Sequence, residues 1–514
     1  MAMQHLQVPE QKPADQQQQQ QQKQQLQRQH KPRPKPKRVL CNEFLLQRKR
    51  MLPVLERKKR RQQFYYGTLD QADEIDGGMF RLLFSVVSGP WLHDQDDWAQ
   101  RARESGPENS RFLATVPIFL VQIDLDASEI FALTQLRGSR IGTAADEPPT
   151  VSVSKALVSL ERRWVRIEAA SGGGRGALVF HNLFEPAARI RVESIRTPSL
   201  GIRQILNDLD ALRNQRDATL DEIEYQLSTS DEIEYVAVYD VGQGEAIGLV
   251  HKDKVACYFD FGGGAAGNQK TFPNRVKKFC FCNKPPIVLS HWDHDHWSSQ
   301  GRDKRAHLST WIVPRQSLKS SKRGLHHSAL IRAIVESGGR IMIWPSDVSR
   351  HTFGQIVVNQ CTGSSKNSSG LALEVLPPSK LDGKPILLPA DAGYGDLPNY
   401  PADGAYDAVV CPHHGGASNS PTAPKPPAAA YQRLVYSYGK ENTYGHPLRR
   451  TRRMHHNSLW SDAKVIKRLQ PQITRNTADR TKIGVGHVGF EWTATKLPGP
   501  LVCDRKKSLQ VQQK

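Results

Sequence analysis

From about residue 231 onward, short apolar runs alternate with breaks rich in Gly and Asp. Segments 235–239, 246–250, 255–259 and 287–289 have strand length, and 311–313, 340–344, 371–376, 386–388, 408–410 and 434–436 follow. A helical pattern at 328–337 falls between them. Strands and helices in alternation, with polar loops after the strands, predict a layered α/β domain over 231–498. In such a domain the chemistry collects on loops at one edge of the sheets.

The first half reads differently. Runs at 79–87 and 115–123, with shorter ones at 164–169 and 177–180, predict a separate small α/β domain over 65–199. The glycine-rich stretch 171–176 lacks the lysine and spacing of a phosphate-binding loop and reads as a turn. Ile205, Leu209, Leu212, Leu220, Ile223 and Leu227 predict an amphipathic connector helix within 200–230. Residues 1–62 are dominated by Gln, Lys, Arg and Pro, so they predict a disordered basic arm. A basic helix over 39–63 would be cut or kinked by Pro53. Residues 499–514 form a tail.

Composition adds a bias toward polyanions. The 514 residues carry a formal charge of +20, part of it in the arm, which favours nucleic acid as a partner. Seven scattered cysteines (41, 257, 280, 282, 361, 411 and 503) predict reduced thiols in a cytoplasmic protein. The first residues lack the apolar core of a secretory signal, and no run is long enough to span a bilayer, so no membrane association is expected.

Four segments carry metal-type side chains, and each follows an apolar run. The densest is Ser290-His291-Trp292-Asp293-His294-Asp295-His296. Imidazoles and carboxylates at this density suit Zn²⁺ or Mn²⁺. Asp391 ends the run Ile386-Leu387-Leu388-Pro389-Ala390, and Pro412-His413-His414-Gly415-Gly416 follows 408–410. His446 lies in Tyr444-Gly445-His446-Pro447. Taken singly, Asp391 reads more readily as a helix-cap or turn Asp, and the other two read equally well as polar loops.

In combination and order these segments resemble metallo-β-lactamase-fold hydrolases, and more narrowly the hydrolase domain of the ComEC competence-protein family. Asp240-Val241-Gly242-Gln243-Gly244-Glu245-Ala246 resembles that family's entry motif, and Phe259-Asp260-Phe261-Gly262 its D-x-G. Asn367 lies in a Ser-rich segment before a strand, as in the family. The resemblance covers roughly 235–495. There are departures: Glu245 replaces Asp, Pro389-Ala390 stands where Thr-Gly is common, and Gly416 replaces a Ser. The family's membrane channel has no counterpart here.

The resemblance implies an αββα sandwich and two divalent ions, Zn²⁺ or Mn²⁺, sharing a water for hydrolysis. His291 and Asp293 would hold one ion and Asp295 and His296 the other. Asp391 would bridge, with His413 or His414 and His446 completing the set. Asp295, Asp391 and His446 are the expected catalytic residues, and Asp240 and Asp260 would orient ligands. Arg449, Arg450, Arg452 and Arg453 are candidates to grip phosphate, or else form a solvated helix face.

The expected activity is phosphodiester hydrolysis of DNA or RNA. The same centre would also suit a cyclic nucleotide, lactone or thioester. A further alternative makes the hydrolase an effector switched by a protein partner bound through 65–199, and the last makes the domain non-catalytic.

Overall fold

The computed structural model describes residues 63–496 except 76, 95–99, 101–115, 135–152, 170–172, 229–231, 277, 317–321, 418–419, 428–431, 461–473, 481–485 and 493–494. The expectations for the arm, its basic helix, Cys41, Cys503 and the C-terminal tail fall outside these residues.

The first element is a strand that the sequence hides. β1 (Phe64–Ile75) pairs antiparallel with β2 (Met79–Ser88) through a tight turn in which Gly77 and Gly78 both adopt positive φ. Few residues but glycine do so at low cost. β3 (Ile118–Leu125), β4 (Trp164–Ala169), β5 (Arg175–Phe180) and β6 (Ala188–Arg196) complete a closed antiparallel barrel in the order β1-β2-β3-β5-β6-β4. Closure leaves no free sheet edge. α1 (Gly89–His93), α2 (Ala127–Thr134) and α3 (Val153–Glu161) lie between its strands in sequence.

Two expectations change here. Segment 65–199 is a β-barrel with short helices, and residues 62–514 cluster as one compact unit, so this segment is not set apart from the rest. The connector is two helices, α4 (Leu200–Asp208) and α5 (Leu220–Leu227), the second opened by a Thr219–Glu222 capping box. The break between them serves as an anchor. Asp210 takes the Arg323 guanidinium at 2.6 Å and Asp217 takes Arg315 at 2.6 Å.

The remainder holds two sheets. One contains β7 (Tyr235–Val238), β8 (Ala246–His251), β9 (Lys254–Phe261), β10 (Ile287–Val288), β11 (Thr310–Val313) and β12 (Arg340–Ile343). The other contains β13 (Arg350–Phe353), β14 (Ile356–Gln360), β15 (Leu371–Val375), β16 (Ile386–Leu388), β17 (Ala408–Val410), β18 (Arg433–Tyr436) and β19 (Thr474–Asn476). The last two strands, β20 (Val488–Phe490) and β21 (Thr495–Lys496), join the first sheet beside β7. Each sheet is antiparallel at one end and parallel at the other, the parallel strands being β9 to β12 and β16 to β19.

The sheets share one apolar core. Val236, Val238, Ile247 and Leu249 meet Val358, Leu373, Val375 and Leu388 in it. Strands packed on both faces read as continuous apolar runs, which is why these strands were visible in the sequence. α6 (His294–Trp297) follows β10, and α7 (Leu325–Glu336) supplies Leu330, Ile331 and Ile334 to the core on the first sheet's other face. α8 (Arg449–Asn457) buries Thr451 and His455 and leaves its four arginines exposed. Cys257, Cys361 and Cys411 are buried free thiols, and the sulfurs of Cys280 and Cys282 lie 3.4 Å apart.

Glycine at 262 sets how closely the β9 end approaches the loop after β10. A Cβ there would lie 1.6 Å from the Asp295 carbonyl oxygen, which accepts the amides of Glu245 and Gly263 at 3.0 and 3.1 Å. Backbone cannot yield as a flexible side chain can, and overpacking costs roughly 1–3 kcal/mol. Gly262→Ala should therefore lower the melting temperature by several degrees. Gly176→Ala, where an added Cβ meets nothing within 4 Å, should leave it unchanged.

Candidate metal centre

The parallel strands deliver their loops to one edge, as open sheets commonly do. β10 is followed by the run from His291 to His296, β16 by Asp391, β17 by His413 and His414, and β18 by the loop to His446. Asp260, Ala390, His413 and His414 all have φ between 52° and 57°. Non-glycine residues held left-handed at a strand end mark a backbone fixed by its surroundings. Ala390 stands where the resembled family commonly has Gly, and it keeps the conformation that glycine would favour.

Asp391 is the hub, buried with neither carboxylate oxygen hydrogen-bonded. Its two oxygens face two groups. Oδ2 lies 3.6 Å from His291 Nε2 and 3.5 Å from His413 Nε2. Oδ1 lies 3.1 Å from His296 Nε2 and 3.4 Å from His414 Nε2. Asp295 joins the second group, with Oδ2 3.3 Å from His414 Nε2 and Oδ1 3.8 Å from His296 Nε2. Ligands at about 2.0–2.2 Å around a tetrahedral ion are separated by roughly 3.4 Å, so this spacing suits shared cations better than direct hydrogen bonds.

The histidine tautomers agree. His413 Nδ1 donates to the Ala417 carbonyl at 2.8 Å, and His414 Nδ1 to the Ser437 carbonyl at 2.9 Å. His296 Nδ1 donates to Asp260 Oδ2 at 2.7 Å. His291 Nδ1 donates to Ser290 Oγ at 2.9 Å, whose own proton goes to Asp260 at 2.7 Å. Carbonyl and carboxylate oxygens only accept, so in each ring the outer nitrogen carries a proton and Nε2 faces the centre. This is the arrangement metal-ligating histidines use. The groups His291–His296–Asp391 and Asp295–His296–His414 each bring their ligand atoms within 4.8 Å of one another, and buried Glu245 makes a further group with Asp391 and His414. The residues fit divalent metal.

Other expected members lie at the margin. Asp293 Oδ2 is 3.5 Å from His291 Nε2, but its Oδ1 faces the buried Lys366 ammonium at 3.5 Å. His446 stands off the carboxylates. Its Nδ1 meets the Gln243 amide at 3.2 Å, it stacks on Tyr444, and its buried Nε2 has no hydrogen-bond partner. A Cβ at 416 would lie 2.7 Å from that Nε2, which accounts for Gly416 where the resembled family has Ser. Asp260 holds the His296 ring through Nδ1. Asp240 does not touch a ligand. It binds Arg480 at 2.7 Å and the Gly242 and Gly486 amides, holding the turn that carries Gln243. Of the four candidate arginines, Arg450 is paired with Glu74 at 2.8 Å.

The residues missed in the sequence come from β1. A bulge between Leu69 and Gln71 turns Asp70, Gln71 and Asp73 toward the centre. Asp73 Oδ1 is 2.7 Å from His413 Nε2, and the Gln71 amide reaches Asp295 at 3.4 Å. Asp70 sits among His294, His327 (3.2 Å) and Lys366 (3.1 Å). Buried polar residues in an extended segment were the available signal, but "TLDQADE" reads in isolation as a turn.

Electrostatics follow from burial and crowding. Burial alone would raise the carboxylates. The hydrogen bond from His414 and the charges of His296 and His414 instead hold Asp295 at about 2, and His296, His413 and His414 hold Asp391 well below the ordinary range. Burial, which His296 reinforces, lowers His291 to about 3. The pull of Asp391 and Asp73 overcomes burial at His413 and raises it to about 10, while Asp391 and Asp260 raise His296. Without an ion, His296 and His413 therefore hold extra protons at neutral pH.

A cation must displace those protons, so metal affinity should rise with pH. Titration calorimetry with Mn²⁺ or Zn²⁺ at pH 7, in two buffers of different ionisation enthalpy, should show net proton release. Uptake without proton release would contradict this account of the centre. Gly416→Ser should displace His446 without removing the bound metal, checked by metal analysis. No family model matches the chain and no curated protein matches it, so the reading of this centre rests on its own geometry.

Proposed function

We propose that this chain is a metal-dependent phosphodiesterase acting on nucleic acid, its two sheets and outer helices forming a metallo-β-lactamase αββα sandwich around a dinuclear centre. One observation carries the proposal: Asp391 turns its two unbonded oxygens to two separate sets of imidazoles, His291 with His413 and His296 with His414. A carboxylate so placed is suited to bridging a pair of cations.

Bound Zn²⁺ or Mn²⁺ would supply Lewis acidity and an acidified water at neutral pH. The chain supplies the rest. His291, Asp293, Asp391 and His413 border one position, and Asp295, His296, Asp391 and His414 the other. Asp260 and the Ala417 and Ser437 carbonyls lock the rings so that no reorganisation is required during reaction. The Gln243 amide donates to His446 Nδ1, which leaves the unpartnered His446 Nε2 as a proton donor for a substrate oxygen. α8 has four arginines in its first five residues and no acid in its first turn. Cations at the positive end of a helix dipole are unfavourable unless an anion joins them, which suits a phosphate-bearing substrate. Among the described residues no helix is long and apolar enough to cross a membrane.

The test uses the purified chain with Mn²⁺ or Zn²⁺ on single-stranded and duplex DNA and RNA. Asp391→Asn should reduce phosphodiester cleavage by about 10³-fold or more, since the bridging carboxylate serves both positions. Its melting temperature should fall in the metal-free protein, because the imidazoles facing position 391 lose their buried counter-charge, so cleavage is compared on protein shown to be folded and metal-loaded. Asp295→Asn should behave alike. Full cleavage by Asp391→Asn would place the chemistry elsewhere. Cyclic nucleotides or lactones as the only substrates would replace the nucleic-acid reading with the small-molecule one.

A further inference from the structure

Three acidic side chains of one short stretch of β1 each meet a basic side chain from the other part of the chain. Asp70 meets the Lys366 ammonium at 3.1 Å, Asp73 meets His413 Nε2 at 2.7 Å, and Glu74 meets the Arg450 guanidinium at 2.8 Å. Gln71 sits between them, donating to Asp295 at 3.4 Å and accepting from the Tyr444 hydroxyl at 3.2 Å. A small cavity of about 10 Å³ lies beside the centre, lined by Gln71, Leu83, Gln243, Asn268, Asp295 and Tyr444 among others. That is room for one water at most. Among the described residues, Asp73 and Gln71 of β1 take up the space directly beside His413 and Asp295.

We propose that Lys366 and Arg450, together with the metal position that His413 borders, mark the track for the backbone of a single-stranded nucleic acid, and that the acidic stretch 70–74 of the barrel occupies this track in its absence. The proposal rests on the phosphodiesterase reading and adds the binding path and its resident competitor. The cations are graded from the interior outward. Lys366 is fully buried beside Asp293, His413 touches Asp391's side of the centre, and Arg450 stands exposed in the first turn of α8. An incoming phosphate chain would meet them from outside to inside.

Residues 71–75 stay paired with β2, and it is the side chains of this one strand that reach Lys366, His413 and Arg450, a single row of anionic groups such as one phosphate chain presents and a duplex does not. Asp73 Oδ2 is buried without a hydrogen-bond partner. Buried charge pairs of this kind add little net stability over apolar contact, so exchanging barrel carboxylates for substrate phosphates need not be costly. The bulge at Leu69–Gln71 gives the stretch its direction, since without it Asp70 and Gln71 would point to opposite faces.

The experiment compares the full chain with its Asp73→Asn/Glu74→Gln variant. Binding of a labelled single-stranded oligonucleotide is read by fluorescence anisotropy, with metal content measured separately. If the barrel competes for the track, the variant should bind about tenfold tighter or more, because a larger share of molecules is open. Adding Arg450→Gln should weaken that binding and flatten its salt dependence.

In the unaltered chain, saturating oligonucleotide should speed amide exchange in β1. This reading does not depend on how the variant folds. Unchanged or weaker binding by a folded variant, unchanged exchange in β1, or preference for duplex would each overturn the proposal. Tighter binding without cleavage by any form would uphold the track and remove the phosphodiesterase reading. Cleavage without tighter binding would do the reverse.

Discussion

A buried carboxylate without hydrogen bonds is expensive unless opposite charge surrounds it. Asp391 is such a group, and much of this edge of the molecule is arranged to compensate it. Four imidazoles point Nε2 at its two oxygens. Each imidazole is held from behind by an oxygen that can only accept or that has already given its proton away. The compensation is then passed on, since Asp260 must itself be satisfied and takes the Ser290 amide and hydroxyl at 2.7 Å each. Protons or divalent cations can complete this shell. Cations do so with more charge per position and release the protons.

The backbone meets the same demand. Residues after parallel strands emerge at one edge, and left-handed φ at Asp260, Ala390, His413 and His414 turns the chain back toward the centre. Each such residue costs roughly 1 kcal/mol or more relative to an unstrained conformation. The strain is tolerated because flanking strands are buried on both faces and fix the ends of each turn. A rigid two-sheet core thus holds a site whose local geometry is unfavourable on its own.

The buried sheets were legible because strands without a solvent face write themselves as apolar runs, as at 287–289, 386–388 and 408–410. The site was legible for a related reason: side chains following such runs land at one edge, which brought His291, Asp295, His296, Asp391, His413 and His414 together. What stayed hidden was β1. Its outer face packs on polar loops rather than on solvent or an apolar core, so Thr68, Asp70, Gln71 and Asp73 are buried and no two-residue alternation survives. A pattern argument built on apolar burial cannot find a strand whose partners are histidines, a lysine and a tyrosine. The connector failed differently. Its apolar spacing continued across 209–219 while Asp210 and Asp217 were recruited by arginines, and those ion pairs decided the chain path.

The barrel cannot be treated as a module appended to a finished site. Outward from Asp391 the charge alternates: carboxylates at the centre, imidazoles around them, Lys366 and Arg450 beyond, and the acids of β1 closing the set. Removing the last layer would leave Lys366 buried with Asp293 as its nearest remaining counter-charge at 3.5 Å and His413 facing Asp391 alone. An uncharged ligand entering in place of β1 would pay that desolvation and gain little in return. A chain of phosphates would restore the missing layer with charges of the same sign. The constraint that forces the barrel's acids inward thereby selects the chemistry that can replace them.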